Sequence, residues 1–356
     1  MKRTLIVLGI SIVCGLLAFS QRAAILTRVM ERGLESRIAA DATADLVDGL
    51  HLALCGAGGP LPAPNASGPC VAVVAGEHLF VVDAGTDGVR NLGRMNYPAG
   101  RVEAVFLTHF HSDHLDGLGE LGTLRWAAGD NATPLTVYGP NGVERVVDGF
   151  NNAYSQDFTY RHEHHGDLVA PLAAAGLAAR PFVPPAIGEL ATVFEQDDVL
   201  VEALAVDHAP VEPAVGYRFS YKGRSLLITG DTVKLDNIRE FAQGVDLLVH
   251  EALAPNLVNM MHDAAEAQGN HILAKITHDI LDYHASPIDA AETARDAGVG
   301  HLLYYHIVPP LVIPGQEILF LNGAEKVFAD YTIGRDGVAF SLPADSTQII
   351  KTSSGL

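Results

Sequence analysis

One six-residue motif, His-Phe-His-Ser-Asp-His at residues 109–114, restricts the fold more than any other part of the sequence. It directly follows an apolar run, Val102–Leu107, that is typical of a buried strand. Residues two apart in an extended segment point to the same side, so His109 and His111 can converge on one ion. If a helix begins at Asp113, then Asp113 and His114 reach a second point nearby.

These four side chains are the usual ligands of a transition metal. Imidazole and carboxylate ligands together suit zinc or a similar first-row divalent ion. A single His in a polar turn is usually just solvated, but four ligands within six residues behind an apolar strand indicate a metal site. Loops at strand ends carry the functional residues of α/β folds, and three more candidate ligands each follow an apolar strand. These candidates are His208, Asp231 and His306.

Composition favours a large folded core and a small substrate. The 356 residues are 48% apolar and 18% charged, which argues against disorder. The formal net charge is −19, whereas phosphate backbones bind to basic surfaces. We therefore expect no nucleic acid partner.

The N-terminus predicts export. Lys2 and Arg3 precede a 15-residue apolar run, Leu5–Phe19, as in a secretory signal peptide or a signal anchor. The run is shorter than the roughly 20 residues of a comfortable membrane span. Cleavage and retention both stay open, so the protein is expected in the periplasm or anchored to the inner membrane and facing the periplasm.

Strands that alternate with helices predict an α/β sandwich. We divide the chain into a signal segment or signal anchor (1–22), a helical linker (23–47), a main folded domain (48–342) and a polar tail (343–356). The least regular stretch, about 142–185, is predicted to be an insertion or lid. Cys55 and Cys70 flank an early loop and either form a disulfide or remain two buried thiols.

The ligand series, in this order along the chain, resembles that of the metallo-β-lactamase superfamily. Flanking segments resemble its ribonuclease Z and arylsulfatase-like branch: CGAGGPLP at 55–62, TGDT at 229–232 and YHIVPP at 305–310. The likeness covers about residues 50–342. Cys55 and Cys70 depart from it, because they replace the usual Thr and Ser of the opening motifs.

The resemblance implies a four-layer αββα sandwich with two zinc ions, or manganese or iron, at one edge. His109, His111 and His208 would hold one ion, Asp113, His114 and His306 the other, and Asp231 would bridge them. Seven protein ligands also exceed a single tetrahedral shell. Two such ions supply hydroxide at neutral pH, which Asp113 would orient. His284 would assist the leaving group with Glu251 as its orienting partner, although packing at a helix end is the plainer role for His284.

The predicted function is an exported binuclear-zinc hydrolase that cleaves a small-molecule ester, either a phosphodiester or an aryl sulfate. The alternative is a β-lactamase or lactonase with the same site, and a non-catalytic metal-binding protein is a third reading. Bacterial ribonuclease Z carries its tRNA-gripping arm between the residues that match His208 and Asp231. That interval is short here, which also argues against tRNA. Assembly as a homodimer is compatible with the sequence.

Overall fold

The computed structural model describes residues 19–356, in which fifteen strands form two sheets. The strands are β1 Gly49–Gly56, β2 Cys70–Ala75, β3 His78–Val82, β4 Val102–Phe106, β5 Leu135–Pro140, β6 Leu177–Phe182, β7 Leu190–Gln196, β8 Val199–Ala205, β9 Val215–Tyr221, β10 Arg224–Ile228, β11 Leu247–Leu253, β12 His301–Val308, β13 Tyr331–Ile333, β14 Val338–Pro343 and β15 Ile350–Ser353.

The helices alternate with the strands along the chain. They are α1 Arg22–Ile38, α2 Gly88–Arg94, α3 Ser112–Leu115, α4 Leu118–Ala128, α5 Val143–His165, α6 Asp236–Phe241, α7 Pro255–Ala267, α8 His271–Asp279, α9 Pro287–Ala297, α10 Gln316–Leu321 and α11 Ala324–Val327. Single 3₁₀ turns lie at Ala99–Arg101 and Leu172–Ala174.

Each sheet is mixed, and each has a parallel part. The first has the order β15-β14-β1-β2-β3-β4-β5-β6, and its strands β3 to β6 are parallel. The second has the order β13-β12-β11-β10-β9-β8-β7, and its strands β10 to β13 are parallel. Because parallel strands end at the same edge of a sheet, the loops that follow β4, β10 and β12 can meet at one end of the sandwich.

Alternating side chains divide the strands between two kinds of core. One face of each sheet packs against the other sheet through residues such as Leu52, Phe106, Phe219 and Leu303. The opposite faces are covered by helices: α2, α4 and α5 on the first sheet, and α6, α7, α9 and α10 on the second. The period of two along a strand produces this division. The predicted mixed α/β sandwich of two sheets is confirmed.

Much of the N-terminal segment predicted as a signal or anchor, residues 1–18, lies outside the described residues. Helix α1, in the predicted linker, has no buried residue. Within residues 19–356, no helix is both long and apolar enough to cross a membrane. The division of the chain at residues 22 and 47 stays a prediction.

Two predicted segments are more regular than their composition indicated. The stretch 142–185, predicted as an irregular insertion or lid, contains the 23-residue helix α5 and the edge strand β6. Helix α5 continues to His165 because no Gly or Pro lies between Phe150 and Gly166. The tail 343–356, predicted as loose, adds strand β15 to β14, because strand pairing uses backbone groups that polar residues also possess.

A disulfide joins the first two strands of the first sheet. It links Cys55 to Cys70 across neighbouring antiparallel strands, with a sequence separation of 15 residues. Both cysteines are fully buried. Of the two alternatives that the sequence left open, the structure therefore has the disulfide.

Candidate metal centre

The motif at residues 109–114 follows β4, which ends at Phe106, and runs into helix α3. His111 has an extended backbone, and α3 begins at the next residue, Ser112. His109 and His111 therefore lie in the segment between β4 and α3, whereas Asp113 and His114 belong to the helix. His208 lies in the loop between β8 and β9, and Asp231 lies directly beyond β10.

Four side chains form the first half of the centre. The Nε2 atom of His109 lies 3.1 Å from Nδ1 of His111, which is 3.4 Å from Nε2 of His208. The Oδ2 atom of Asp231 lies 3.8 Å from Nε2 of His109 and 3.7 Å from Nε2 of His208. Three imidazoles and one carboxylate therefore surround one point, as in a four-coordinate zinc site.

The second half uses the same oxygen of Asp231. The Oδ2 atom of Asp113 lies 3.6 Å from Nε2 of His114 and 3.4 Å from Nε2 of His306. The Oδ2 atom of Asp231 is 3.4 Å from the first of these nitrogens and 3.3 Å from the second. One carboxylate oxygen therefore lies within 3.8 Å of four ring nitrogens from both halves.

Strand β12 has a bulge at His306 that turns this side chain into the centre. The pairing of β11 with β12 skips from Tyr305 to Ile307, which leaves His306 as the extra residue. Its φ angle is +44°, a left-handed conformation that is unusual for a non-Gly residue. A bulge re-aims one side chain and is common beside active sites.

The unpaired polar atoms of the cluster fit bound cations. Buried atoms without a hydrogen-bond partner include Asp113 Oδ2, Asp231 Oδ1, His114 Nε2 and both ring nitrogens of His306. Each unpaired buried polar atom costs about 1–3 kcal/mol. Such a concentration of unpaired carboxylate oxygens and imidazole nitrogens is stable when metal ions coordinate them. The residues present therefore fit a metal centre.

Residues behind the ligands fix the orientation of their rings. Nδ1 of His114 donates a 2.8 Å hydrogen bond to Asp83 Oδ2, and Asp83 also accepts from the backbone N–H and the hydroxyl of Thr108. Nδ1 of His208 donates to the carbonyl oxygen of Tyr283 at 2.9 Å. These bonds leave the Nε2 atoms of His114 and His208 free for a metal.

Sequence reasoning missed Asp83 and Thr108. A signal for Asp83 was present, since it follows the apolar strand β3 in the same way that Asp231 follows β10.

The environment of several ligands favours the protonation states that metal binding needs, whereas a metal ion would have to displace a proton from His114. Burial lowers the pKa of His114, but Asp231 and Asp83 outweigh this and raise it well above its usual value. Burial holds the pKa of His109 well below its usual value and also lowers the pKa of His111 and His208, which keeps these rings neutral. Burial alone would raise the pKa of Asp231, but His306 and His114 hold it well below the usual range, so the carboxylate stays ionised.

His284 lies beside the cluster and is held by Glu251. Nδ1 of His284 donates a 3.0 Å hydrogen bond to Glu251 Oε1, which also accepts from the backbone N–H groups of Thr232 and Ala285. A ring nitrogen of His284 lies within 4.8 Å of ligand atoms of Asp231 and His306. Burial lowers the pKa of His284, but Glu251 outweighs this and raises it to about 9.

His284 and Glu251 therefore differ in what they can contact. His284 lines a cleft of about 260 Å³ together with Asp113, Asp231 and His306. Glu251, predicted as a catalytic residue, is completely buried behind His284 and does not line that cleft.

A family model described as "Beta-lactamase superfamily domain" matches residues 78–307. The chain belongs to this superfamily. Ribonuclease Z of Mycobacterium bovis (strain BCG / Pasteur 1173P2) is 35% identical over 271 residues, which are 75% of this chain and 89% of that protein. The predicted membership of the superfamily and of its ribonuclease Z branch is confirmed, and the protein is a metal-dependent hydrolase.

Two solved structures share this superfamily fold. The metallo-β-lactamase fold protein YhfI from Bacillus subtilis matches with a TM-score of 0.59 and 20% identity, over 83% of this chain and 100% of that one. The short form of human tRNase Z matches with a TM-score of 0.59 and 20% identity, over 82% of this chain and 99% of that one.

The prediction that no nucleic acid partner is expected is wrong. It is contradicted by the 35%-identical relative named ribonuclease Z. The prediction relied on the formal charge of −19, which is a sum over the whole chain. Binding depends on the local field at a cleft, and bound divalent cations add positive charge there.

We expect Asp231→Ala to lose metal from both halves of the centre, because both share its Oδ2 atom. After gel filtration in metal-free buffer, elemental analysis should find well below one metal ion per chain, and hydrolysis should be lost as well. His164→Ala changes an exposed His at the end of α5 and serves as the control with unchanged metal content. Full metal content together with retained turnover in Asp231→Ala would show that the assignment is wrong.

Proposed function

We propose that this chain is a di-zinc phosphodiesterase. In this proposal His109, His111 and His208 hold one ion, and Asp113, His114 and His306 hold the other. Asp231 is shared by both. The observation that supports two ions rather than one is the position of Asp231 Oδ2, within 3.8 Å of ring nitrogens from both groups. Imidazole and carboxylate ligands suit zinc, and they also accept manganese or iron.

The proposed reaction is hydrolysis of one phosphate ester bond. When bound, the two metal ions lower the pKa of water in the cleft and neutralise charge on the phosphoryl oxygens. Asp113 borders the cleft and accepts a hydrogen bond from the attacking water, which it orients towards the phosphorus. The water gives up one proton to solvent and its oxygen bonds to phosphorus. The bond to the leaving oxygen breaks, and the products are a phosphomonoester and an alcohol.

The leaving oxygen needs a proton, and in this proposal His284 donates it. Its ring lies at the edge of the cleft, and its Nδ1–H is engaged by Glu251, which leaves the other ring nitrogen for the substrate. Glu251 is itself fixed by the backbone N–H groups of Thr232 and Ala285. This pair resembles the acid and its orienting group in general acid catalysis.

The likeness to ribonuclease Z proteins supports a phosphodiester as the bond cleaved. A ribonuclease cleaves phosphodiester bonds of RNA, and this chain covers 89% of such a relative. Aryl sulfates, β-lactams and lactones are the other bonds that a di-metal centre of this superfamily could open. They define the comparison substrates.

We expect the zinc-loaded full chain to hydrolyse bis-p-nitrophenyl phosphate and an RNA with a 3′ extension. It should not turn over p-nitrophenyl sulfate, nitrocefin or a homoserine lactone. Initial rates at equal enzyme concentration measure the difference, and Asp231→Ala provides the background. Turnover of nitrocefin or the lactone without turnover of either phosphodiester would replace this proposal with a ring-opening hydrolase.

The effect of His284→Ala should depend on the leaving group. An alcohol leaving group needs a proton, so its release should slow by about 10²- to 10⁴-fold. p-Nitrophenolate leaves without a proton, so the rate of its release should fall far less in His284→Ala. Glu251→Gln should show the same dependence more weakly, and His164→Ala should show none. A uniform loss on all leaving groups in His284→Ala would mean that this residue is structural.

We also propose that the protein is exported. The basic and apolar N-terminal sequence supports export, and so does the Cys55–Cys70 disulfide, because such bonds persist in oxidising compartments. We expect thiol trapping in cells to find both cysteines oxidised in the full chain and reduced in a variant lacking residues 1–22.

In urea titrations, the free energy of unfolding of the Cys55→Ala/Cys70→Ala variant should be about 3 kcal/mol lower than that of the wild type, because the disulfide closes a loop of about 15 residues. Cys14→Ser is the control for this stability measurement.

For the thiol-trapping experiment, reduced cysteines in the full chain from its own host would contradict export.

A further inference from the structure

An apolar groove opens beside the metal cleft. It encloses about 530 Å³, which is within the range of about 300–1,000 Å³ for small-molecule sites. Its walls come from the loop after β1, helices α7 and α10, and the segment after β12. The lining is Leu61, Pro62, Leu257, Met260, Met261, Ala264, Pro309, Pro310, Val312, Ile313, Gln316 and Leu319.

The groove and the cleft share a wall. Leu61 lines both of them. Beyond His306, strand β12 continues through Val308, which lines the cleft, to Pro309 and Pro310, which line the groove. A ligand whose phosphate lies among the metal ligands can therefore extend directly over Leu61 into the groove.

The groove offers almost nothing to a polar ligand. Gln316 is the one residue of its lining with a polar side chain, and that side chain is already engaged. Its Oε1 accepts from the backbone N–H groups of Val312 and Ile313, and its Nε2 donates to the carbonyl oxygen of Pro310. The lining also lacks aromatic rings, on which nucleic acid bases usually stack. The surface is suited to an aliphatic chain.

Several aliphatic side chains at the groove are open to solvent. Met260 is 60% exposed, Ile313 66% and Leu319 48%. Contiguous exposed apolar surface of this kind marks binding sites. A protein–protein interface uses about 20–30 residues on each side, whereas twelve residues line this groove. Its size and its continuity with the cleft favour part of a substrate over a second protein.

We propose that the groove binds a single alkyl or acyl chain of the substrate, so that the enzyme prefers phosphodiesters with an apolar tail. This inference rests on the proposed phosphodiesterase activity and adds its substrate class. The reaction is the hydrolysis described above, with the tail on the part of the diester that lies over Leu61. Burial of methylene groups in the groove then contributes to kcat/KM.

A homologous series of substrates tests this. Alkyl p-nitrophenyl phosphates from methyl to dodecyl, each below its critical micelle concentration, share one reacting bond and differ only in tail length. For the zinc-loaded full chain, kcat/KM should rise about two- to fourfold per methylene until the groove is filled, since burial stabilises each methylene by up to ~0.8 kcal/mol. The measured quantity is the ratio of kcat/KM for the dodecyl ester to kcat/KM for the methyl ester.

Two groove variants should lower that ratio at least tenfold: Met260→Glu and Leu319→Glu. Both positions are partly exposed, so the fold tolerates the change, and each places a charge where the tail would lie. Leu168→Glu is the matched control, because Leu168 is 96% exposed and lies outside the groove. Its ratio should equal that of the wild type.

The outcomes separate this inference from the proposed function. Turnover of the methyl ester with no dependence on tail length would overturn the tail site and leave the phosphodiesterase intact. No turnover of any ester would contradict the phosphodiesterase itself. A flat series together with a change of mass by light scattering in Met260→Glu would assign the groove to a second copy of the chain, which also overturns the tail site.

Discussion

The Oδ2 atom of Asp231 lies at the centre of the structure's chemistry. Four imidazole nitrogens surround it within 3.8 Å, and all of these groups are largely removed from water. A carboxylate and several imidazoles buried together without counter-charges and hydrogen bonds would strongly destabilise a fold. Coordination of metal would satisfy these atoms, so we expect metal binding and the stability of this end of the sandwich to be linked.

The fold brings this cluster together from distant parts of the chain. His109 follows β4 of the first sheet, Asp231 follows β10 of the second, and the bulged His306 lies near the end of β12, beside them. Behind the ligands, Asp83 and the carbonyl of Tyr283 fix two rings, and Glu251 fixes His284. Residues behind the cluster therefore orient two of the ligand rings, and the proposed acid has its own partner in Glu251.

The sequence predicted the parts of this arrangement that have a local signal. His109 to His114 form a contiguous motif, and His208, Asp231 and His306 could be recognised as polar residues at the ends of apolar strands. The bulge at His306 had no such signal, because it arises from the pairing of β11 with β12. Strand β15 was missed because three of its four residues are polar and because it forms only by pairing with β14.

The apolar groove could not be predicted from the sequence either, because it is formed by segments near residues 61, 260 and 313 that only the tertiary fold brings together. The expectation about nucleic acid failed for a related reason. It used a charge summed along the chain, whereas recognition depends on where the charges lie in space.

X-ray absorption spectroscopy of the zinc-loaded full chain tests the central claim most directly. The shared carboxylate predicts about two zinc ions per chain, each with nitrogen and oxygen ligands, and a zinc–zinc scattering path at about 3.5–4 Å. One zinc ion per chain with no metal–metal path, or sulfur in the ligand shell, would contradict a binuclear centre bridged by Asp231.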